Sequence, residues 1–89
     1  MENKEAYTSE EVVRIVNMLN SLQGDMAAIR NYKNHPSMKR EDRNKAVKAN
    51  QGYLRDTYVE IPENVRMSVK GLDEKVQKLL EIEPVTHGY

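Results

Sequence analysis

The sequence predicts an all-α protein, a small three-helix up-down-up bundle in which a helical hairpin is followed by a third helix. Apolar residues recur at alternating steps of three and four along its longer segments, which is the spacing of one helix face. Prolines at positions 36, 62 and 84 divide the chain into segments of helical length. The 89 residues suffice for one hydrophobic core, so we expect a single domain over 1–89.

The first helix is predicted over residues 8–33. Thr8 and Glu11 have the spacing of a capping box, in which each side chain accepts a hydrogen bond from the backbone N–H of the other residue. Asn34-His35-Pro36 ends the helical pattern. One apolar stripe follows the cap and is predicted to form the principal core seam: Val12, Ile15, Leu19, Leu22, Met26 and Ile29.

The second helix is predicted over residues 38–60, with Ser37 as its N-cap and Pro62 beyond its end. Gln51 falls on its apolar stripe, where a polar residue typically fixes the register of packing. The third helix is predicted over residues 64–82, and Pro84 ends it. The tail, 84–89, is expected to be loose. The third helix is predicted from one repeating set of apolar residues: Val65, Val69, Leu72, Val76 and Leu79.

An alternative interpretation of residues 57–69 is a short β-hairpin, which would make the fold α+β. Thr57, Val59 and Ile61 are β-branched and occupy alternate positions, and a second alternating run begins at Val65. The helical spacing that continues from Val65 to Leu79 favours the all-α fold.

Charge is distributed unevenly along a chain whose formal net charge is zero. Residues 30–55 carry eight basic residues and two acidic ones, so this segment is near +6 and the remainder near −6. One interpretation is a solvated surface whose charges neutralise the neighbouring helices. The alternative, which we follow, is that the basic segment attracts a partner with an acidic surface. The predicted binding residues are Lys33, Arg40, Arg43, Lys48, Arg55 and Tyr53.

Enzymatic chemistry has no support in the sequence. The chain has no cysteine, which excludes thiolate nucleophiles and thiolate metal ligands. His35 and His87 are far apart and outside any metal-binding spacing, and the glycines do not form a phosphate-binding loop. We therefore expect no enzyme, no metal site and no cofactor.

A membrane location is not expected either. No apolar run approaches the roughly 20 residues that a membrane-spanning helix needs. The polar, acidic start of the chain is unlike a signal peptide. These features predict a cytoplasmic protein.

Part of the second helix resembles a known family. Asp42-Arg43, the run from Asn50 to Leu54 and the following Pro62 are similar to the second helix of the hairpins in phage anti-CBASS cyclic-nucleotide sponge proteins. The resemblance implies a homo-oligomer that binds cyclic dinucleotides between protomers, through an aromatic residue and basic side chains. The N-terminal aromatic residue and lysine of that family have no counterparts here, and Leu19 lies about where the lysine is expected.

The sequence thus predicts a small non-enzymatic helical interaction protein that binds a protein partner through a charged helical surface. We expect self-association, because the core is thin for the amount of heptad pattern. The predicted role is a phage-type inhibitor or regulator, acting on a host protein in the host cytoplasm. One alternative is a homo-oligomeric cyclic-nucleotide sponge. Another is a nucleic-acid-binding accessory protein, with Tyr32 and Tyr53 stacking on bases.

Overall fold

The computed structural model describes residues 7–83, and the secondary structure over this range is helical. The first helix, α1, covers Ser9–Lys33, and the second, α2, covers Arg40–Glu60. Two shorter helices follow, α3 over Glu63–Ser68 and α4 over Leu72–Leu80. The predicted all-α class is confirmed. The predicted loose tail, 84–89, lies outside the described residues.

The capping box at the start of α1 is present as predicted. The Glu11 backbone N–H donates to the Thr8 hydroxyl oxygen at 3.1 Å, and the Thr8 backbone N–H donates to a Glu11 carboxylate oxygen at 2.8 Å. These bonds satisfy donors that the first turn of a helix leaves without intrahelical partners. The capping box therefore determines where α1 begins.

The second helix begins two residues later than predicted, and its predicted cap is wrong. Lys39 is the N-cap of α2 and contributes no side-chain hydrogen bond to the first turn. The Ser37 backbone N–H instead donates to Nδ1 of His35 at 3.3 Å, within the loop that connects α1 to α2. Residues 34–39 thus form a turn in which local hydrogen bonds compete with helix formation.

The predicted third helix over 64–82 is wrong in its continuity, because it is divided into α3 and α4. Gly71, at the junction, has a φ of 76°, a left-handed conformation that glycine adopts readily. The Ser68 hydroxyl donates to the Val65 carbonyl oxygen at 2.7 Å at the end of α3. The predicted alternative, a β-hairpin over 57–69, is also wrong, since α2 and α3 cover most of that segment.

The core lies where α4 packs against both helices of the α1–α2 hairpin. From α1, only Leu22, Met26 and Ile29 of the predicted seam are buried, whereas Val12 is 46% exposed. The seam is shorter than predicted because α4 has only nine residues. The core residues from the other elements are Val47, Leu54, Tyr58, Ile61, Leu72, Val76 and Leu79.

Gln51 lies on the apolar stripe of α2, as predicted, and reaches the end of α4. Its side-chain amide donates to the carbonyl oxygens of Leu79 and Ile82, each at 2.9 Å. The Leu79 carbonyl oxygen also accepts from the Ile82 backbone N–H at 3.4 Å, so Gln51 adds a shorter bond there and supplies a donor to the Ile82 carbonyl just beyond the end of α4. This half-buried amide fixes where α4 ends along α2.

Candidate partner-binding surface

The hairpin gathers the basic residues at one end. The segment that carries them includes the last turn of α1, the connecting loop and the first turns of α2, and the short loop places these parts next to one another. Residues 30–48 contain seven basic residues and two acidic ones, a formal charge of +5. We call the exposed or half-buried members of this set the basic end: Arg30, Lys33, Lys39, Arg40, Lys45 and Lys48.

Arg43 is buried, so its predicted place on an exposed binding face is wrong. Its side chain is only 8% exposed. One terminal nitrogen donates to the Met38 carbonyl oxygen at 3.2 Å and, more weakly, to the His35 carbonyl oxygen at 3.4 Å. The loop therefore uses the guanidinium as an internal donor, because buried backbone carbonyls need partners. Arg43 therefore stabilises the loop between α1 and α2, which carries part of the basic end.

The structure does not bring the other predicted binding residues into one cluster. At about 100° per residue, Lys48 and Arg55 share one side of α2, while Tyr53 is about 200° from Arg55 and lies on the other side. Tyr53 is also about 20 Å along the helix from Arg40, at 1.5 Å per residue. Lys33, Arg40 and Lys48 belong to the basic end, whereas Arg55 and Tyr53 lie beyond it on α2.

A cluster of polar side chains that the sequence did not predict joins α2, α3 and α4. The Tyr58 hydroxyl donates to a carboxylate oxygen of Asp73 at 2.6 Å. The Arg66 guanidinium carbon lies 4.8 Å from the centre of the Tyr58 ring, and Nε of Arg66 is buried without a hydrogen-bond partner. Burial and the Asp73 hydrogen bond raise the pKa of Tyr58 above its ordinary value. This cluster holds α3 and α4 onto the hairpin.

Two further properties of residues 7–83 bear on the kind of site. No cluster of three or more His, Asp or Glu side chains in this range has the arrangement to hold a metal ion. Within the same range, no helix has both the length and the apolar character to cross a membrane. His87, the second histidine, lies outside the described residues.

Comparisons with known proteins give no match. The chain matches no protein-family model, no curated protein and no solved structure. The arrangement of charge and exposure on the helices is therefore the basis for a functional proposal.

Proposed function

We propose that this chain is a non-enzymatic interaction protein that binds an acidic surface of a partner protein through the basic end. The observation that carries the proposal is the concentration of a +5 formal charge in residues 30–48, which the hairpin brings to one end of the molecule. Exposed ion pairs are worth only about 0–1 kcal/mol each, so ion pairs with neighbouring carboxylates compete only weakly with the binding of a partner. Long-range attraction then increases the association rate of an acidic partner.

A protein partner fits the geometry better than a nucleic acid or a cyclic nucleotide. Binding of bases typically combines basic side chains with an exposed aromatic ring on the same surface. Tyr32 lies beside Lys33 but is half-buried against the core. Tyr53 is 59% exposed, but it lies on the other side of α2 from Arg55 and far from the loop. Outside residues 30–55 the chain carries a formal charge near −6, so nucleic acid is repelled by much of its surface. In this proposal the partner is a cytoplasmic protein, and its identity as a host target of a phage remains a prediction.

The proposal is tested by reversing charge at the basic end. The triple variant Lys33→Glu, Lys45→Glu and Lys48→Glu changes only exposed side chains. We expect it to fold like the parent but to lose the proteins that the immobilised parent retains from a cell lysate. Parent binding should also weaken as salt rises from about 50 to 500 mM, because screening shortens the range of the attraction.

A matched control carries the same change of charge elsewhere: Arg14→Glu, Lys70→Glu and Lys78→Glu, all exposed and outside the basic end. This control should retain the partner. If both triple variants lose the partner equally, only the total charge of the chain matters for binding. If both retain the partner, the basic end is not the binding surface. Isothermal titration with a cyclic dinucleotide and with single-stranded RNA provides a separate measurement. Tight binding of either by the parent would favour the corresponding alternative function.

A further inference from the structure

The side of α1 that faces away from the core carries no charge. At about 100° per residue, six positions of α1 fall within an arc of about 80° in addition to its first residue, Ser9, and no charged residue lies in that arc. These positions, which we call the outer face of α1, are Val13, Val16, Asn20, Gly24, Ala27 and Asn31. Charged residues make up 31% of the chain, so a helix face without any is a marked departure from its composition. Depletion of charge is a property of interface cores.

The outer face is solvent-exposed and includes apolar side chains. Val13 is 59% exposed and Val16 is 47% exposed, and the other positions of the face are exposed as well. Each valine loses the stabilisation that burial of its apolar surface would give, on the order of 1.5 kcal/mol or more. These valines contribute nothing to the core of a single chain.

Gly24 belongs to this face, one turn from Asn20, and packing within one chain does not require it. A Cβ atom added at Gly24 would meet no atom within 4 Å, and the residue does not have a positive φ. A glycine inside a helix costs about 1 kcal/mol relative to alanine. A glycine on an exposed face allows a second helix to approach closely, which is how small residues act in helix packing.

The large and small residues of the outer face are arranged symmetrically about Asn20. Val13 and Ala27 each lie seven residues from Asn20, on opposite sides, and Val16 and Gly24 each lie four residues from it. When two copies of α1 pair antiparallel with Asn20 at the centre, Val13 lies opposite Ala27 and Val16 opposite Gly24. Each valine of one copy then enters a depression over a small residue of the other, as knobs enter holes.

The charges at the two ends of α1 favour the same orientation. Its first turn is acidic, with Glu10 and Glu11, and its last turn is basic, with Arg30 and Lys33. Antiparallel pairing brings the acidic turn of each copy near the basic turn of the other, and parallel pairing would bring like charges together. A second copy therefore matches the outer face in charge, in shape and in length.

We propose that the outer face of α1 is a homodimer interface, in which two copies pair antiparallel around Asn20. The surface from Val13 to Asn31 is about 27 Å long, at 1.5 Å per residue. A single helix pair of this length buries less than the roughly 800 Å² per partner of a standard interface. The dimer is consequently weak and dissociates on dilution. Its apolar contacts lie outside the basic end, and the two surfaces share only the charges of Arg30 and Lys33.

Two glycine variants test the position of the interface. Gly24→Glu places a charge on the outer face, one turn from Asn20, and Gly52→Glu places the same charge in the middle of α2, where a Cβ atom also meets nothing within 4 Å. Light scattering over a hundredfold dilution should give the parent up to twice the 10.3 kDa chain mass. Gly52→Glu should behave like the parent, and Gly24→Glu should remain at the mass of one chain. A parent that stays monomeric, or a Gly24→Glu variant that dimerises like the parent, would overturn the proposal.

Disulfide formation tests the orientation, since the chain contains no cysteine of its own. Asn20→Cys should form a covalent dimer on oxidation, because each copy presents this position to itself at the two-fold axis. Val13→Cys alone and Ala27→Cys alone should not, since self-pairing would require closing a gap of about 21 Å. A mixture of these last two variants should form the mixed dimer. Self-linking by Val13→Cys, or none by Asn20→Cys, would contradict the antiparallel arrangement. Neither result affects the proposal for the basic end.

Discussion

The hydrogen bonds of Gln51 to the end of α4 should contribute measurably to the stability of α4 on the hairpin. Gln51→Met keeps the length of the side chain and removes both donors. The parent amide makes two hydrogen bonds, to the carbonyls of Leu79 and Ile82. Each such bond contributes about 0.5–1.5 kcal/mol, so the variant should lose about 1–3 kcal/mol of the free energy of unfolding. Urea denaturation followed by circular dichroism measures this loss.

The matched control is Gln77→Met, which removes an amide of the same kind from an exposed position on α4 itself. It should leave the free energy of unfolding within about 0.5 kcal/mol of the parent value. Hydrogen exchange adds a local measurement, since the amides of α4 should exchange faster in Gln51→Met than those of α1. If Gln51→Met is as stable as Gln77→Met, the amide does not hold α4, and the reasoning from its two hydrogen bonds fails.

Two further predictions concern stability. Leu22→Ala should lower the free energy of unfolding by about 2–5 kcal/mol, because Leu22 is fully buried, and Leu19→Ala should cost less, because Leu19 is half-buried. Thermal melting compares the two, and equal costs would contradict the shortened core seam. The raised pKa of Tyr58 favours its protonated form in the folded state, so this stabilisation is complete below the ordinary pKa of 10.0 and falls as pH rises through the folded-state pKa. Melting temperatures between about pH 8 and pH 12 should therefore fall less steeply for Tyr58→Phe than for the parent or for the exposed control Tyr53→Phe, and parallel profiles would contradict this.

The long helices could be predicted because their signals are local. A capping box needs only Thr8 and Glu11 at the correct spacing, and Pro36 and Pro62 limit the helices whatever packs against them. The apolar stripe indicated which side of α1 faces the core. It did not indicate how much of that side is covered, because coverage depends on the length of α4.

The division between α3 and α4 could not be read from apolar spacing. The repeat from Val65 to Leu79 suits one continuous helix, and Gly71 alone is tolerated within a helix at modest cost. The left-handed conformation of Gly71 allows the chain to turn, and α4 then packs its apolar side onto the hairpin. This choice depends on tertiary packing, in which a short amphipathic helix is stabilised by what it covers.

The candidate site illustrates a similar limit. Counting charges locates a basic segment but does not say which side chains point outward. Arg43 has the same residue type as Arg40 and lies one turn away, yet it is buried under the loop as a donor to backbone carbonyls. The sequence does contain the signal for the outer face of α1, namely the absence of charge at positions of one helical arc. The apolar stripe of α1 predicts the side that faces the core, which is opposite to this arc.

The two proposed surfaces have a geometric consequence when they are considered together. Antiparallel pairing through α1 directs the two basic ends away from each other, to opposite ends of a helix pair about 37 Å long. The dimer is then bivalent, and binding at one end raises the effective concentration of a second acidic site that lies within reach of the other end. Each basic end also lies near the acidic first turn of the partner's α1, with Glu10 and Glu11. Those carboxylates compete weakly with an acidic partner, so partner binding and dimerisation are coupled through the same charges.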